Sequence, residues 1–273
     1  MNKLQDLADE ARLANDTPGL IDAGTPAGAL VSSVNGWTFH EFPVVTSTNL
    51  VAANLPAWNA IRADTQTAGR GRFQRQWVSD AGGLWLSAVV PIGQDSPARL
   101  ALPLAAGLAV CDTLRSLGVH HLRMRWPNDL LVNDRKLAGL LIDQFNPAVA
   151  VVGIGINVGN QPEVRDPLLN RQTARLVDLL PAAPTLPDLA ARVLHGLQSV
   201  VTELLAGRFE LLLPRVNALW GRPRRVELDL DGTMRRGTFA GVLADGRLVL
   251  RDECGGSAAY HPWQVRHLAE LSD

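Results

Sequence analysis

Two short apolar runs constrain the fold more than any other feature of the chain. Leu84-Trp85-Leu86-Ser87-Ala88-Val89-Val90 and Ala148–Val158 are almost continuously apolar over a strand's length, with glycines at 153 and 155 in the second. A strand that is apolar on both faces must be covered on both, so these runs call for a layered α/β architecture. The segments around them supply the layers. Trp37–Val45 reads as a strand, and Ser47-Thr48-Asn49 offers capping hydroxyls to a helix over Leu50–Asn54. Ile61 marks a short strand. Leu100–Cys111 opens a helix with Leu104, Leu108, Cys111 and Leu114 on one face. This longest apolar run contains Pro103 and Gly107 and is too short to span a bilayer.

Leu122–Arg125 reads as a strand, and Asn133-Asp134 joins Leu130–Val132 to Leu137–Ile142 as a hairpin. Thr185-Leu186-Pro187-Asp188 has the form of a helix start, with Leu189, Val193, Leu197 and Val200 on the buried side. A second helix is expected over Glu210–Leu219. From Gly221 the period changes to two: Val226, Leu228 and Leu230, then Val242, Leu248 and Leu250, with turns at Asp231-Gly232 and Asp245-Gly246. The 273 residues divide into an extension over 1–36 with a short helix near Lys3–Leu13, a large domain over 37–220 and a small β-module over 221–273.

The net charge of −1 gives no global field to attract nucleic acid or an anionic membrane. Cys111 and Cys254 stand far apart without a CxxC partner, so neither a disulfide framework nor a zinc site is expected, and a reducing cytoplasm is the expected compartment. The start, MNKLQDLADEAR, lacks the apolar stretch of a signal peptide. The pairs His120-His121 and His261/His267 lack carboxylates or cysteines at ligand spacing and read as ordinary surface or packing residues.

Against this neutral background stands Thr65–Trp77, TQTAGRGRFQRQW, which carries Arg70, Arg72 and Arg75 among Gly69 and Gly71. Guanidinium forks suit phosphate or carboxylate, and glycines let the backbone approach a ligand closely. An anion would neutralise such a loop and let it close; a solvated basic loop is the plain alternative. A GxxxxGK[ST] loop is absent and Gly153-Ile154-Gly155 lacks the third glycine of GxGxxG, so any nucleotide site is built differently. Three further groups bear on the choice. Trp126-Pro127-Asn128-Asp129 ends a strand, where a carboxylate could hold Mg²⁺ or orient a neighbour, or simply form a turn. Lys136 heads a buried strand, where it could stabilise charge at a carboxylate–phosphate centre or guard a sheet edge. Gly153, Gly155 and Asn157 leave room for a flat ligand or for close backbone packing.

In this order, Ser47-Thr48-Asn49, Gln66…Gly69-Arg70-Gly71-Arg72…Arg75…Trp77, Trp126-Pro127-Asn128-Asp129, Lys136-Leu137-Ala138-Gly139-Leu140-Leu141 and Gly153-Ile154-Gly155-Ile156-Asn157 resemble the biotin protein ligases from about Trp37 to the C-terminus. The resemblance implies an α/β (α+β) fold: a class II synthetase-like, lipoate-ligase-like domain with a mixed sheet, plus a small SH3-like β-barrel. It implies that biotin and MgATP give biotinyl-5′-adenylate, and that a lysine of the biotin carboxyl carrier protein then takes the biotin. Ser47, Thr48 and Gln66 would bind the ureido ring. Arg70 and Arg72 would line the biotin and adenylate site, Arg75 would meet phosphate and Trp77 would close the loop. Lys136, with Arg72 the expected catalytic pair, would bridge carboxyl and α-phosphate. Asn49, Gly69, Gly71, Gly139, Gly153 and Gly155 fall in the same binding set. Trp85 would form a wall or belong to the core. Asn128 and Asn157 would face phosphates and metal, with Asp129 as the metal residue.

Arg125, Gln76 and the segment Thr173-Ala174-Arg175-Leu176 depart from the family pattern, and the last leaves the adenine contact unassigned. The short segment before Trp37 carries no basic recognition helix, so a monofunctional enzyme that binds neither DNA nor membrane is expected; sheet edges leave a homodimer open. A lipoate or octanoate ligase of the same superfamily is the alternative, but it would need an apolar tunnel and no ureido-binding edge. A non-catalytic biotin-binding regulator is the other alternative, against which Lys136 and the loop arginines argue.

Overall fold

The computed structural model describes residues 28–92, 98–160 and 173–271. The expected helix near Lys3–Leu13 lies outside these residues. Eight strands form one mixed sheet: β1 Leu30–Val34, β2 Trp37–Val45, β3 Asn59–Gln66, β4 Leu84–Pro91, β5 Leu122–Arg125, β6 Asp129–Val132, β7 Arg135–Asn146 and β8 Val149–Ile156, in the order β1-β2-β3-β4-β8-β7-β6-β5. β2 and β3 run parallel, joined through the short helix α1 (Thr48–Ala52), and the other pairs are antiparallel. The sheet takes in residues expected only as extension, since β1 pairs with β2 along Leu30↔Glu41 to Val34↔Trp37.

Three helices cover one face: α2 (Ala98–Ser116), α3 (Leu186–Leu205) and α4 (Phe209–Ala218). α2 is apolar nearly all round because it lies between the sheet and the other two helices. α3 is amphipathic and buries Leu189, Val193, Leu194, Leu197, Val200, Val201 and Leu204, each large side chain stabilising by about 1.5–3 kcal/mol. Its start is set as the sequence implies, with Thr185 accepting a hydrogen bond from the Asp188 amide and Pro187 in the first turn. Leu84, Leu86, Ala88 and Val90 of β4 join Val152, Ile154 and Ile156 of β8 in this core.

The other face carries the alternate residues, and here β4 and β8 differ from ordinary core strands. Val89, Val151, Ile61 and Ala63 pack with Ala52 of α1 in a second, smaller cluster. Further along the same face the register aligns Trp85 with Gly155 and Gly155 with Gly139, and aligns Ser87 with Gly153 and Gly153 with Leu141. The apolar runs thus hide a row of small and polar residues on one side only.

Residues 224–270 form a five-stranded antiparallel sheet, β9 Arg224–Leu230, β10 Thr233–Val242, β11 Leu248–Arg251, β12 Ser257–Tyr260 and β13 His267–Glu270, in the order β12-β11-β10-β9-β13. Its apolar residues, among them Val226, Leu228, Phe239, Leu248 and Val265, belong to the same core as α2–α4. Polar ties fix its position. Arg123 on β5 donates to both Glu270 oxygens at 2.7 and 2.6 Å and to Asp134 at 3.0 Å. Trp126 Nε1 donates to the Gly246 carbonyl, 3.2 Å away. A charged pair buried this way holds geometry more than it adds stability.

Candidate active site

A cavity of about 730 Å³ opens over the row of small residues, large enough for a small organic ligand. Its floor is β4, β7 and β8. One end is walled by α1 and β3, one side by residues 70–78, and the roof includes Val265–Leu268 of the small sheet.

The floor is built around Trp77. A Cβ placed on Gly155 would lie 2.8 Å from three indole atoms of Trp77, and one on Gly139 would lie 2.9 Å from the same ring. The indole therefore lies directly on this glycine pair and meets Trp85 edge-on, with ring centroids 6.4 Å apart. Lys136 Nζ sits 4.8 Å above the Trp77 ring and 2.7 Å from Asp129 Oδ1. The second Asp129 oxygen is 2.6 Å from Arg125. Burial by itself would raise the Asp129 carboxyl, but Lys136 and Arg125 outweigh it and hold the group at about 2. Lys136 is fixed along its backbone as well. Its carbonyl accepts from the Ala174 amide at 2.9 Å and from Asn157 Nδ2 at 3.3 Å.

The arginine loop is a tight reversal. Arg70 pairs with Gln76, the Gly71 amide donates to the Arg75 carbonyl at 2.7 Å, and Phe73 and Gln74 turn the chain with φ of 54° and 57°. Arg72 reaches across to the small sheet, donating to the carbonyls of Pro262 (2.7 Å) and Val265 (3.2 Å). Burial lowers its pKa to about 10, with Asp129 opposing and Arg75 adding to the shift, so it stays charged near neutrality. Arg72 and Arg266 flank the Phe73 ring at 4.7 and 5.2 Å. Among the described residues the buried Nε of Arg70 and the buried Nε1 of Trp77 have no hydrogen-bond partner. Both line the cavity, and both are donors.

The opposite end is polar but uncharged. Gln66 Oε1 accepts from the Thr48 amide at 2.8 Å and lies 3.0 Å from Thr48 Oγ1. Gln66 Nε2 donates to Ser79 Oγ at 2.8 Å, which in turn donates to the Trp77 carbonyl. Ser47, Thr48 and Asn49 are all buried.

Comparison with known proteins matches residues 41–159 to the biotin/lipoate A/B protein ligase family. A biotin–[acetyl-CoA-carboxylase] ligase of Mycobacterium tuberculosis is 35% identical over 188 residues, covering 64% of this chain and 68% of that protein. The chain belongs to this ligase family.

The bifunctional ligase/repressor BirA of Escherichia coli is 36% identical over 141 residues, covering 48% of this chain and 44% of its own length; this chain spans about half the length of such relatives. A biotin protein ligase from Aquifex aeolicus, solved with biotin and ATP, has the same fold at a TM-score of 0.75 and 24% identity, covering 85% of this chain and 99% of that one.

Within the ligase fold the expected residues fall as follows. Ser47, Thr48, Asn49, Gln66, Arg70, Gly71, Arg72, Arg75, Trp77, Trp85, Asn128, Asp129, Lys136, Gly139, Gly153, Gly155 and Asn157 all line the cavity. Gly69 does not. It is needed for packing, since a Cβ there would run into the Trp77 carbonyl and Ser79 Oγ. The room expected beside Gly153 and Gly155 is taken by side chains, Asn49 over Gly153 and Trp77 over Gly155, because both α1 and the arginine loop fold down onto the sheet. The hydroxyl of Ser47, expected as a helix cap, makes no capping bond, and Thr48 turns its oxygen to Gln66 and Ser87. Asp129, expected as the metal residue, has both oxygens ion-paired, and no cluster of three metal-ligating side chains occurs among the described residues. The protein side alone therefore does not fit a resident Mg²⁺. Asn128 and Asn157 bond to backbone, at Leu140 and Lys136. Trp85 is both wall and core, 1% exposed, with its Nε1 bonded to the Asp80 carbonyl.

The site also holds residues that sequence reasoning missed: Val265–Leu268 in the roof, and Ser87 and Asp143 beneath the polar end. No local pattern marks Val265–Leu268, which reach the cavity only through domain packing. Ser87 had a signal, as the one hydroxyl in an otherwise apolar run.

Proposed function

We propose that the chain is an ATP-dependent biotin protein ligase, forming biotinyl-5′-adenylate and passing biotin to a lysine of a biotin carboxyl carrier protein. The carrying observation is a single cavity with a neutral hydrogen-bonding end at Thr48 and Gln66, an indole floor, and a cationic end at Lys136 and Arg70. That sequence of surfaces suits an acid with a polar ring at one end and a carboxylate at the other. The names of the relatives, and the biotin and ATP bound in the Aquifex neighbour, support the same reading.

In this reading the ureido ring lies against Thr48 and Gln66, and the apolar part of biotin crosses Trp77 and Trp85. The carboxylate then meets Lys136 beside the α-phosphate of ATP. Two anions must come within bonding distance there. Lys136, held by Asp129, offsets their repulsion, while Arg70 and Arg75 contribute charge from the loop. A carboxylate oxygen attacks the α-phosphorus and pyrophosphate leaves. The amine of the acceptor lysine then attacks the acyl carbon and AMP leaves, with the amine proton passing to solvent or a phosphate oxygen. The loop, tied to the small sheet by Arg72, covers the mixed anhydride against water. Asp129 acts as the orienting partner of Lys136. Any magnesium would arrive with the nucleotide phosphates, whose charge it would offset. We read the partner as the carrier protein only, with no DNA, and the location as cytoplasmic; among the described residues no helix is long and apolar enough to cross a membrane.

The test is biotin-dependent exchange of radiolabelled pyrophosphate into ATP, followed by a mass shift on a purified carrier domain. Exchange with lipoate and none with biotin would overturn the reading.

A further inference from the structure

From the lining of the cavity's polar end a chain of hydrogen-bonding groups runs into the fold beneath it. Thr48 Oγ1 is 3.0 Å from Gln66 Oε1 and 2.7 Å from Ser87 Oγ, and Ser87 Oγ is 2.6 Å from Asn49 Oδ1. Asn49 Nδ2 donates to Asp143 Oδ2 at 2.8 Å. Ser87 is 0% exposed and Asn49 4% exposed, so in the middle of the chain the protein's own groups must complete the set.

The protons can be counted. Three oxygen-to-oxygen contacts share only two protons, one from each hydroxyl. The amide ends are not free to turn. Gln66 must present its oxygen to the Thr48 amide and its nitrogen to Ser79, and Asn49 must present its nitrogen to the Asp143 carboxylate. Asn49 Oδ1 can therefore only accept, and Ser87 donates to it across the shortest contact. Thr48 then donates to Ser87, and the longest contact, Thr48 to Gln66, is left without a proton. Thr48 Oγ1 and Gln66 Oε1, both on cavity-lining residues, are then each left with acceptor capacity that an N–H could fill.

We propose that Ser87 and Asp143 are positioning residues that, through Asn49, hold the Thr48 proton away from the cavity. They thereby make Thr48 Oγ1 and Gln66 Oε1 an acceptor pair that selects a substrate carrying an N–H at this end. The inference rests on the biotin reading and assigns the origin of its selectivity. Removing Ser87 frees the Thr48 proton to turn to Gln66, which fills the pair from within. Removing the Asp143 carboxylate lets Asn49 rotate and donate to Ser87, which reverses the chain with the same result. Asparagine at 143 keeps an acceptor oxygen for Asn49 and preserves the direction.

The probes are biotin and its two cyclic-carbamate analogues, in which a ring oxygen replaces each urea N–H in turn, with affinities measured by titration calorimetry. The wild-type chain is expected to bind biotin about tenfold or more tighter than one of the analogues. Ser87→Ala and Asp143→Ala are expected to bring that ratio to within about threefold, while Asp143→Asn keeps it and the KM for ATP is unchanged in all three. Equal weakening of biotin and analogue by Ser87→Ala, or loss of the ratio in Asp143→Asn, overturns the inference and leaves the biotin reading standing. A wild-type chain that binds no biotin overturns both. Should Ser87→Ala fail to fold, the contrast between Asp143→Ala and Asp143→Asn decides alone.

Discussion

Gly155→Ala should damage the site through Trp77. The added Cβ would stand 2.8 Å from Cε2, Cζ2 and Nε1 of the indole, against 3.4 Å where ordinary contact begins. The shortfall is 3.4 − 2.8 = 0.6 Å. The strand cannot yield, because Gly155 is paired on both sides, with Trp85 and with Gly139. The indole must move into the cavity by at least that distance, and Lys136, 4.8 Å above the ring, lies in its path. Overpacking of this kind costs about 1–3 kcal/mol. For a chain of 273 residues that is a fall in Tm of roughly 2–12 °C, at about 2–4 °C per kcal/mol. Displacing the cation by a large fraction of an ångström should lower kcat/KM in pyrophosphate exchange by about 10–100-fold. Adding Trp77→Phe replaces the bicyclic indole, whose Nε1, Cε2 and Cζ2 make the clash, with a single smaller ring, so the double variant should regain most of the Tm but little of the rate, because the broader π-surface under Lys136 is gone. Unchanged Tm together with a rate within about twofold of wild type would refute the seating of the indole on the glycine pair.

Lys136→Ala should lower adenylate formation by about 10²–10³-fold while biotin affinity changes by less than about tenfold, read as pyrophosphate release against calorimetry; pyrophosphate release at the normal rate would remove its assigned role. Arg72→Ala severs the loop from the Pro262 and Val265 carbonyls. Limited proteolysis should then cut within residues 69–76 faster than in wild type, and biotin with ATP should slow both, wild type remaining the slower. Asp129 has its pKa depressed from 3.8 to about 2, so its pairing stabilises the fold fully above about pH 4 and the contribution fades as pH falls toward 2. The Tm of wild type should therefore drop through this window, and Asp129→Asn should flatten that drop; parallel curves would count against the pairing. Arg123→Ala takes from Glu270 its bidentate partner, leaving Arg224 at 4.0 Å, and should cost about 1–3 kcal/mol, read from urea unfolding.

Much of the fold was readable in order along the chain. The Thr185 cap, the Asn133-Asp134 hairpin with φ of 48° and 61°, and the change to period two after Gly221 are local signals, and each reappears in the structure. β1 gave no warning, because Leu30–Val34 is a short, mostly exposed edge strand whose only reason to be extended is its partner β2. α2 showed its length but not its surroundings, since a helix enclosed on every side carries no polar stripe to say where the sheet lies.

The sequence by itself pointed to many of the residues that gather at the cavity, because glycine spacing, loop arginines and the lysine ahead of β7 are properties of single segments; Val265–Leu268, Ser87 and Asp143 join them only through packing. What each residue does there was decided by tertiary structure. Trp77 falls on Gly139 and Gly155, Asp129 is taken by Arg125 and Lys136, Arg72 is drawn to Pro262 and Val265, and Asp143 reaches Thr48 through Asn49 and Ser87. Each of these partnerships crosses strands or domains. The interaction strength depends on separations of a few ångströms, which register and packing fix and which no spacing along the chain encodes.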